Sequence, residues 1–320
     1  MVVTWILTLS VTLTLLAFPV ASDWTSTPFN APSYPLAVRT PYLSAWFPSP
    51  EGGVALNQAW PEFWTGATLG WAGFAKVDGV AYSFLGESSV TNFTKATQVS
   101  AEVDGATYQT GSSTVVRSYF ISNGKLANTR DTNYRAIDND WPVFAFARSL
   151  GQITKDTPQY AVFSVGHVRD PVIKYIQNNG VTFEGRSYYF WSTYSTISGA
   201  ITAFLSDYSE ALSRAKALDE KLQTAASSIS SDYADIVALS MRQTFGATEL
   251  TISGSPGAWN TDDVLMFIKG NVNTVDIIMP AWPAFMYLNP KLGEYLLLPL
   301  LQYQATGQYP NEWAVHDLGG

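Results

Sequence analysis

The sequence predicts a two-domain α+β protein, with a β-sandwich-like domain at residues 23–195 and a domain of paired helices at residues 196–320. The first observation is that runs rich in Val, Tyr, Phe and Thr alternate with Asp-Gly and Asn-Gly pairs in the first part of the chain. This pattern is typical of short strands joined by hairpins. The second observation is that apolar residues recur every three or four positions after Ser198, as on one face of a helix.

Residues 1–22 predict a secretion signal that is cleaved from the mature protein. They carry no charged side chain, and the apolar run from Trp5 to Phe18 is followed by Pro19 and the residues Val-Ala-Ser. The lack of Lys or Arg in this segment leaves a membrane anchor as the alternative, although Thr and Ser dilute the apolar run. We expect a secreted, extracellular protein without stable membrane insertion, with Asn92 of Asn-Phe-Thr as its glycosylation acceptor.

In the N-terminal domain, four dipeptides predict hairpin turns. Apolar runs between these turns predict strands. Three tryptophans within twelve residues are expected to be largely buried. The predicted turns are Asp78-Gly79, Asp104-Gly105, Asn123-Gly124 and Asn179-Gly180. The predicted strands include Val115–Ile121, Val143–Phe146 and Tyr160–Val165, and the tryptophans are Trp60, Trp64 and Trp71.

In the C-terminal domain, the three-to-four spacing predicts a helix from Ile201 to Leu222. A second helix is expected from an N-cap at Asp232 to about Gly246. A loop at residues 254–263 and a short strand at Val264–Lys269 follow. The last predicted helices are Asp276–Leu288, in part, and Pro290–Ala305, which opens with proline in its first turn.

Composition excludes several classes of function. The chain has no cysteine, so a thiol nucleophile, a thiolate zinc site and disulfides are excluded. Its net charge of −8 opposes binding to a nucleic-acid backbone, and we expect no such partner. Asp138-Asn139-Asp140 has the oxygen ligands that calcium prefers, but three short polar residues before Trp141-Pro142 more often form a turn. We therefore predict no metal and no other cofactor.

Five long stretches resemble the secreted fungal glutaminase A family, including GQYPNEWAVHDLGG (Gly307 to Gly320). The others are Leu36–Gly86, Gly111–Gly151, Leu239–Leu250 and Asn273–Leu292. The resemblance implies a β-rich N-terminal domain and a C-terminal α/α toroid of the six-hairpin glycosidase type. It also implies a hydrolase that converts the small molecule L-glutamine to L-glutamate and ammonia.

The chain departs from that family in two places. Family members carry a long additional β-rich stretch where this chain runs from Thr94 to Gly105, so the sandwich is expected to be incomplete. Family members also continue beyond Gly320, so the toroid is expected to be partial and the activity impaired. Two alternatives remain open at this point: a glycoside hydrolase-like enzyme acting on carbohydrate, and a non-catalytic carbohydrate-binding or wall protein.

The predicted catalytic residues are His316, Asp317 and Asp276. An imidazole beside a carboxylate suits proton transfer, although anchoring of a loop explains the same pair equally well. Asp276 lies at the mouth of an apolar segment, where it either serves the site or caps a helix. The other histidine, His167, is expected to be structural at a strand end.

Four further residues are predicted to bind the substrate. Arg242 suits a bidentate clamp on a carboxylate, or alternatively an ion pair with Glu249 or Asp235. The other three precede His316 in the chain; they are Tyr309, Glu312 and Trp313.

Overall fold

The computed structural model describes residues 33–40, 43–49, 53–86, 94–95, 106–156, 161–164, 166–176, 182–268 and 271–319. A β-rich N-terminal region is followed by helical hairpins, which confirms the predicted α+β class with two domains. Several predictions lie outside the described residues: the signal at 1–22, the acceptor Asn92, the turns at Asp104-Gly105 and Asn179-Gly180, and most of the departure between Thr94 and Gly105.

The first described strands form two small sheets. Asp78 and Gly79 join two of these strands with φ angles of 48° and 82°, which is the backbone that a two-residue hairpin with matching twist requires. The predicted hairpin is confirmed here. The strands are β1 (Ser33–Thr40) paired with β2 (Leu43–Pro48), and β3 (Gly73–Val77) paired with β4 (Val80–Leu85) and with the short β5 (Thr94–Lys95) through β4.

The predicted strand at Val115–Ile121 is wrong, because this segment is helix α1 (Ser113–Asn123). Ser112 caps its start by accepting a hydrogen bond from the Val115 N–H, and Gly124 ends it in the left-handed conformation. A cap at each end outweighs the weak strand preference of the β-branched residues. The helix packs against an antiparallel pair formed by β6 (Thr107–Ser112) and β7 (Pro142–Ala147), and β7 confirms the strand predicted there.

A four-stranded sheet combines strands from before and after the helices that divide the chain. Its order is β11-β10-β9-β8. The predicted loop at residues 254–263 is wrong, since these residues belong to the β10–β11 hairpin, which turns at Gly257 with φ of 85°. The strands are β8 (Ile173–Ile176), β9 (Phe183–Tyr188), β10 (Thr248–Ser255) and β11 (Ala258–Ile268). Residues 161–164, predicted as part of a strand, lie outside these elements.

The predicted helices are confirmed, with two differences of detail. Asp207 divides the first into two, and Ser230 rather than Asp232 caps the next by accepting from the Tyr233 N–H at 3.0 Å. The helices are α2 (Ile197–Ser206), α3 (Tyr208–Ser227), α4 (Ser231–Gly246), α5 (Val275–Leu288) and α6 (Pro290–Ala305).

The main core lies between β11, α5, α6 and the C-terminal segment. Its fully buried residues include Ile278, Phe285 and Leu296, and Val315 enters the same cluster from the C-terminal segment. The opposite face of β11 packs against Tyr175 of β8. Residues 264–268 of β11 are therefore buried on both faces, and Val315 joins the C-terminal segment to one of these faces.

The expectation that all three early tryptophans are largely buried is wrong. Trp64 is 65% exposed, while Trp60 and Trp71 are half-buried. Trp64 lies in a tight turn closed by a hydrogen bond from the Gly66 N–H to the Phe63 carbonyl, so its side chain projects from the surface.

Candidate functional site

The C-terminal segment folds back onto the residues that begin helix α5. The Val275 N–H donates to the His316 carbonyl at 2.8 Å, and the Leu318 N–H donates to the Val272 carbonyl at 2.9 Å. The Val272 N–H in turn donates to the Gly319 carbonyl at 3.1 Å. The two stretches that carry the predicted catalytic residues are thus held side by side by backbone hydrogen bonds.

The side chains of the adjacent residues His316 and Asp317 contact each other in the C-terminal segment. The imidazole Nε2 lies 3.1 Å from Oδ2 of Asp317, which is within hydrogen-bonding distance. The His316 side chain is 58% exposed and that of Asp317 is 22% exposed, so the imidazole is open to solvent while the carboxylate is partly enclosed. The second oxygen of Asp317, Oδ1, accepts from the Gly319 N–H at 2.8 Å. Asp317 therefore anchors the turn and also contacts the imidazole, and the catalytic role of the pair stays a prediction.

Asp276 is exposed in the first turn of α5. The preceding residue, Val275, donates the backbone hydrogen bond to His316. Asp276 is therefore one residue from the point where the start of α5 contacts the segment of His316 and Asp317. A carboxylate in a first helical turn is also favoured by the partial positive charge of the helix N-terminus.

Asn273 holds this arrangement together, and the sequence prediction gave it no role. It is fully buried with φ of 54°. Its Oδ1 accepts from the Ile268 N–H at 2.9 Å, and its Nδ2 donates to the carbonyls of Met266 and Leu296 at 3.2 and 2.9 Å. One side chain thus joins β11, the start of α5 and α6. A polar residue just before a predicted helix is the only sequence signal for it.

The predicted substrate-binding residues occupy different environments. Tyr309 is half-buried and packs edge to face on Tyr303, with ring centroids 6.2 Å apart. Trp313 and Glu312 are exposed in the loop after α6. The loop is tied to α6 because the Val315 N–H donates to Oε1 of Gln304 at 2.8 Å.

Arg242 is exposed on α4. The ion pair with Glu249, offered above as an alternative for Arg242, is wrong, because Glu249 pairs with Arg169. Among the described residues, the Asp317 carboxylate contacts His316 and the Gly319 N–H rather than Arg242. Its predicted role at the site therefore stays a prediction. His167, expected at a strand end, is exposed in a loop.

A buried polar network lies in the four-stranded sheet and was missed from the sequence. Arg169 donates to both oxygens of Glu249, with Nη1 to Oε1 at 2.9 Å and Nη2 to Oε2 at 2.6 Å. The Tyr188 hydroxyl donates to the same Oε1 at 2.8 Å. The partners lie about sixty to eighty residues apart in the chain, so no local pattern marks them.

A second buried charge in that sheet is Arg186. Its Nη1 donates to Oδ2 of Asp263 at 2.9 Å, and its Nε donates to Thr251 Oγ1 at 3.1 Å. Burial opposes ionisation of Asp263, but hydrogen bonds from Arg186 and Ser253 outweigh burial and lower the pKa of this carboxyl. Burial also raises the pKa of Tyr175 to about 12, so this phenol stays neutral and donates to the Pro299 carbonyl at 2.9 Å.

The described residues contain neither a metal-binding cluster nor a membrane-spanning helix. No group of three or more His, Cys, Asp or Glu side chains is arranged to hold a metal ion. No helix in this part of the chain is both long and apolar enough to cross a membrane.

Comparison with known proteins gives three family matches along the chain. Residues 230–320 match the Glutaminase A six helical-hairpin domain. Residues 6–95 and 81–225 match two families described as domains of unknown function, DUF4964 and DUF5127. The four-stranded sheet joins β8 and β9 of the DUF5127 region to β10 and β11 of the six-hairpin region.

Two curated relatives are similar to this chain. Glutaminase A of Aspergillus oryzae is 30% identical over 92% of this chain and 59% of the relative. A probable glutaminase of Arthroderma benhamiae is 33% identical over 67% of this chain and 25% of the relative. The chain therefore spans 59% or less of the length of these relatives. No solved structure gives a significant match.

Proposed function

We propose that this chain, which belongs to the glutaminase A family, hydrolyses L-glutamine to L-glutamate and ammonia. The similarity to glutaminase A over 92% of the chain supports a glutaminase-like hydrolase. The observation that carries the proposal for the site is the 3.1 Å separation of His316 Nε2 and Asp317 Oδ2 beside the start of α5. Hydrolysis of an amide needs a group that takes a proton from water and returns it to the leaving nitrogen.

In the proposed mechanism, His316 is that group. Water attacks the side-chain carbonyl carbon of glutamine, and a C–O bond forms as His316 accepts the proton of the water. The C–N bond then breaks as His316 returns the proton to the departing nitrogen, which leaves as ammonia. Asp317 keeps the imidazole oriented, as a carboxylate does beside a catalytic histidine.

The substrate's charged end requires partners of its own. We assign the α-carboxylate of glutamine to Arg242, because a guanidinium binds a carboxylate with two parallel hydrogen bonds. The carboxylates of Asp276 and Glu312 are suited to its ammonium group. Trp313 and Tyr309, which lie three and seven residues before His316, would cover the aliphatic part of the substrate with their aromatic rings.

The direct test is an assay of the purified chain on L-glutamine, run beside a panel of oligosaccharides. Formation of glutamate and ammonia in equal amounts, without release of reducing sugar, supports the proposal. Release of reducing sugar without ammonia would instead support the glycoside hydrolase alternative. If neither product forms, the proposed activity of this chain is rejected.

A further inference from the structure

A cleft of about 380 Å³ opens between strand β6 and residues 129–140, in the N-terminal region. Its volume lies in the range of sites for small ligands. The residues proposed for amide hydrolysis do not line it. Its lining includes Thr110 of β6 together with Arg130, Asp131, Asn133 and Asp140 of the loop.

Four exposed aromatic residues neighbour residues of this cleft, either in the strand register or in the chain, and we call them its aromatic border. Phe144 and Phe146 alternate along β7, and Phe144 lies directly opposite Thr110 of the cleft in the antiparallel register. The other face of this strand pair packs on α1, so these rings belong to the face that is left open. Trp141 directly follows the cleft residue Asp140, and Tyr134 follows Asn133. All four of these rings are between 62% and 80% exposed.

The backbone holds Trp141 in an unusual conformation. Asp140 and Trp141 have φ angles of 60° and 42°, which bulky residues rarely adopt. The strained pair is fixed on one side by the Ser113 N–H, which donates to the Trp141 carbonyl at 2.9 Å. Strained residues persist where surrounding contacts enforce them, and they concentrate at functional sites. The strained pair fixes the backbone of Trp141 directly after the cleft residue Asp140.

Arg135 holds the loop at residues 129–140 together by hydrogen bonds to other residues of the same loop. Its Nη1 donates to Oδ2 of Asp131 and to the Asn133 carbonyl, both at 2.7 Å, and its Nε donates to the Asn139 carbonyl at 2.9 Å. Asp131 is also joined to β6, because its N–H donates to Thr110 Oγ1 at 2.7 Å. A loop fixed in this way loses little entropy when a ligand binds.

We propose that this cleft and its aromatic border bind an uncharged polysaccharide chain. The charges that line the cleft balance, with two arginines against two aspartates, so neither an anionic nor a cationic ligand is favoured. The C–H face of a sugar ring packs on the electron-rich face of an aromatic ring. Neighbouring sugar hydroxyls are both donors and acceptors, which suits the amide of Asn133, the carboxylate of Asp140 and the guanidinium of Arg130.

The exposed aromatic area suits a short run of sugar rings. Since a large aromatic side chain has about 150–250 Å² of surface, the four rings expose roughly 550 Å² together. That area is enough for a few sugar rings to stack on.

The test is a calorimetric titration of the full chain with soluble β-1,3-gluco-, β-1,4-gluco-, malto- and chito-oligosaccharides, beside anionic polygalacturonate. We expect at least one neutral oligosaccharide to bind, and polygalacturonate to bind no more tightly. Trp141→Ala and Phe144→Ala should each weaken binding by about tenfold, since a stacked ring contributes on the order of 1 kcal/mol or more. Phe183→Ala is the matched control, because Phe183 is equally exposed but lies on β9.

Three results would overturn the proposal. The first is that no neutral oligosaccharide binds, and the second is that both variants bind as the wild type does. The third is a wild-type dimer in light scattering that either variant abolishes, which would make the face a contact between copies of the chain. Thermal melting of each variant checks its folding. If the melting temperature of Trp141→Ala is well below that of the wild type, its strained loop has been altered. In that case the binding measured for Phe144→Ala decides the proposal, since Phe144 lies on a regular strand.

Discussion

Arg169 donates two hydrogen bonds, of 2.9 and 2.6 Å, to the carboxylate of Glu249. The two residues lie eighty positions apart in the chain. Arg169 belongs to the region that matches DUF5127, and Glu249 belongs to the six-hairpin region. The Glu249 side chain is only 2% exposed, so its charge depends on this partner. The pair therefore couples the two regions, together with the sheet that they share.

Removal of Arg169 should strongly destabilise the protein. Arg169→Met leaves the charge of Glu249 buried without its partner, which costs about 3–5 kcal/mol in comparable buried pairs. Urea unfolding followed by tryptophan fluorescence measures the change. Arg214→Met is the control, because the Arg214–Asp207 pair is exposed on both sides and should contribute less than about 1 kcal/mol. Equal losses in the two variants would contradict this role of Arg169.

Asn273 should be among the least replaceable residues of the C-terminal region. Asn273→Ala removes three buried hydrogen bonds and leaves their partners unsatisfied, so we expect a loss of more than about 2 kcal/mol. Asn273→Gly loses the same hydrogen bonds but tolerates the left-handed backbone. It should therefore be more stable than the alanine variant by roughly 1 kcal/mol. Urea unfolding of both variants separates the two contributions, and identical losses would show that backbone strain contributes nothing.

Gly124 should contribute to the stability of the protein through its left-handed backbone at the end of α1. It has φ of 66°, and an added Cβ would meet only Lys76 Cδ at 3.5 Å, an ordinary contact. Gly124→Ala should therefore cost about 1 kcal/mol through the backbone alone. Gly70→Ala is the control, since Gly70 has an ordinary φ and open space around it. A thermal melt in which both variants match the wild type would refute the proposed role of Gly124.

The Arg186–Asp263 pair predicts a loss of stability in acid. The folded state lowers the pKa of Asp263 below its usual value of 3.8, so the unfolded state binds the proton more readily. The stabilisation is present above that value and is lost as pH falls through the folded pKa. Asp263→Asn should accordingly be less stable than the wild type at neutral pH, with the difference shrinking below about pH 4. Urea midpoints measured across this range test it, and a difference independent of pH would contradict it.

Local signals in the sequence predicted much of the fold. Pro290 in a first turn located α6, and Asp78-Gly79 located the β3–β4 hairpin. The strand predicted at Val264–Lys269 covers the second half of β11. The rest of the β10–β11 hairpin was not predicted, because its polar residues resemble a loop and its pairing with β9 is long-range. The neighbouring His316 and Asp317 suggested a site because they are adjacent in the chain. Their contact with the start of α5, and the role of Asn273 there, depend on tertiary packing that no local pattern encodes.

The most direct test of the central claim compares the chain's two histidines. Loss of a general acid–base group typically lowers the rate by about 10²–10⁴-fold. His316→Gln should therefore lower kcat for ammonia release from L-glutamine by that order. His167→Gln, in an exposed loop, should leave kcat unchanged. Equal activity of both variants and the wild type would contradict the assignment of His316 as the group that transfers the proton.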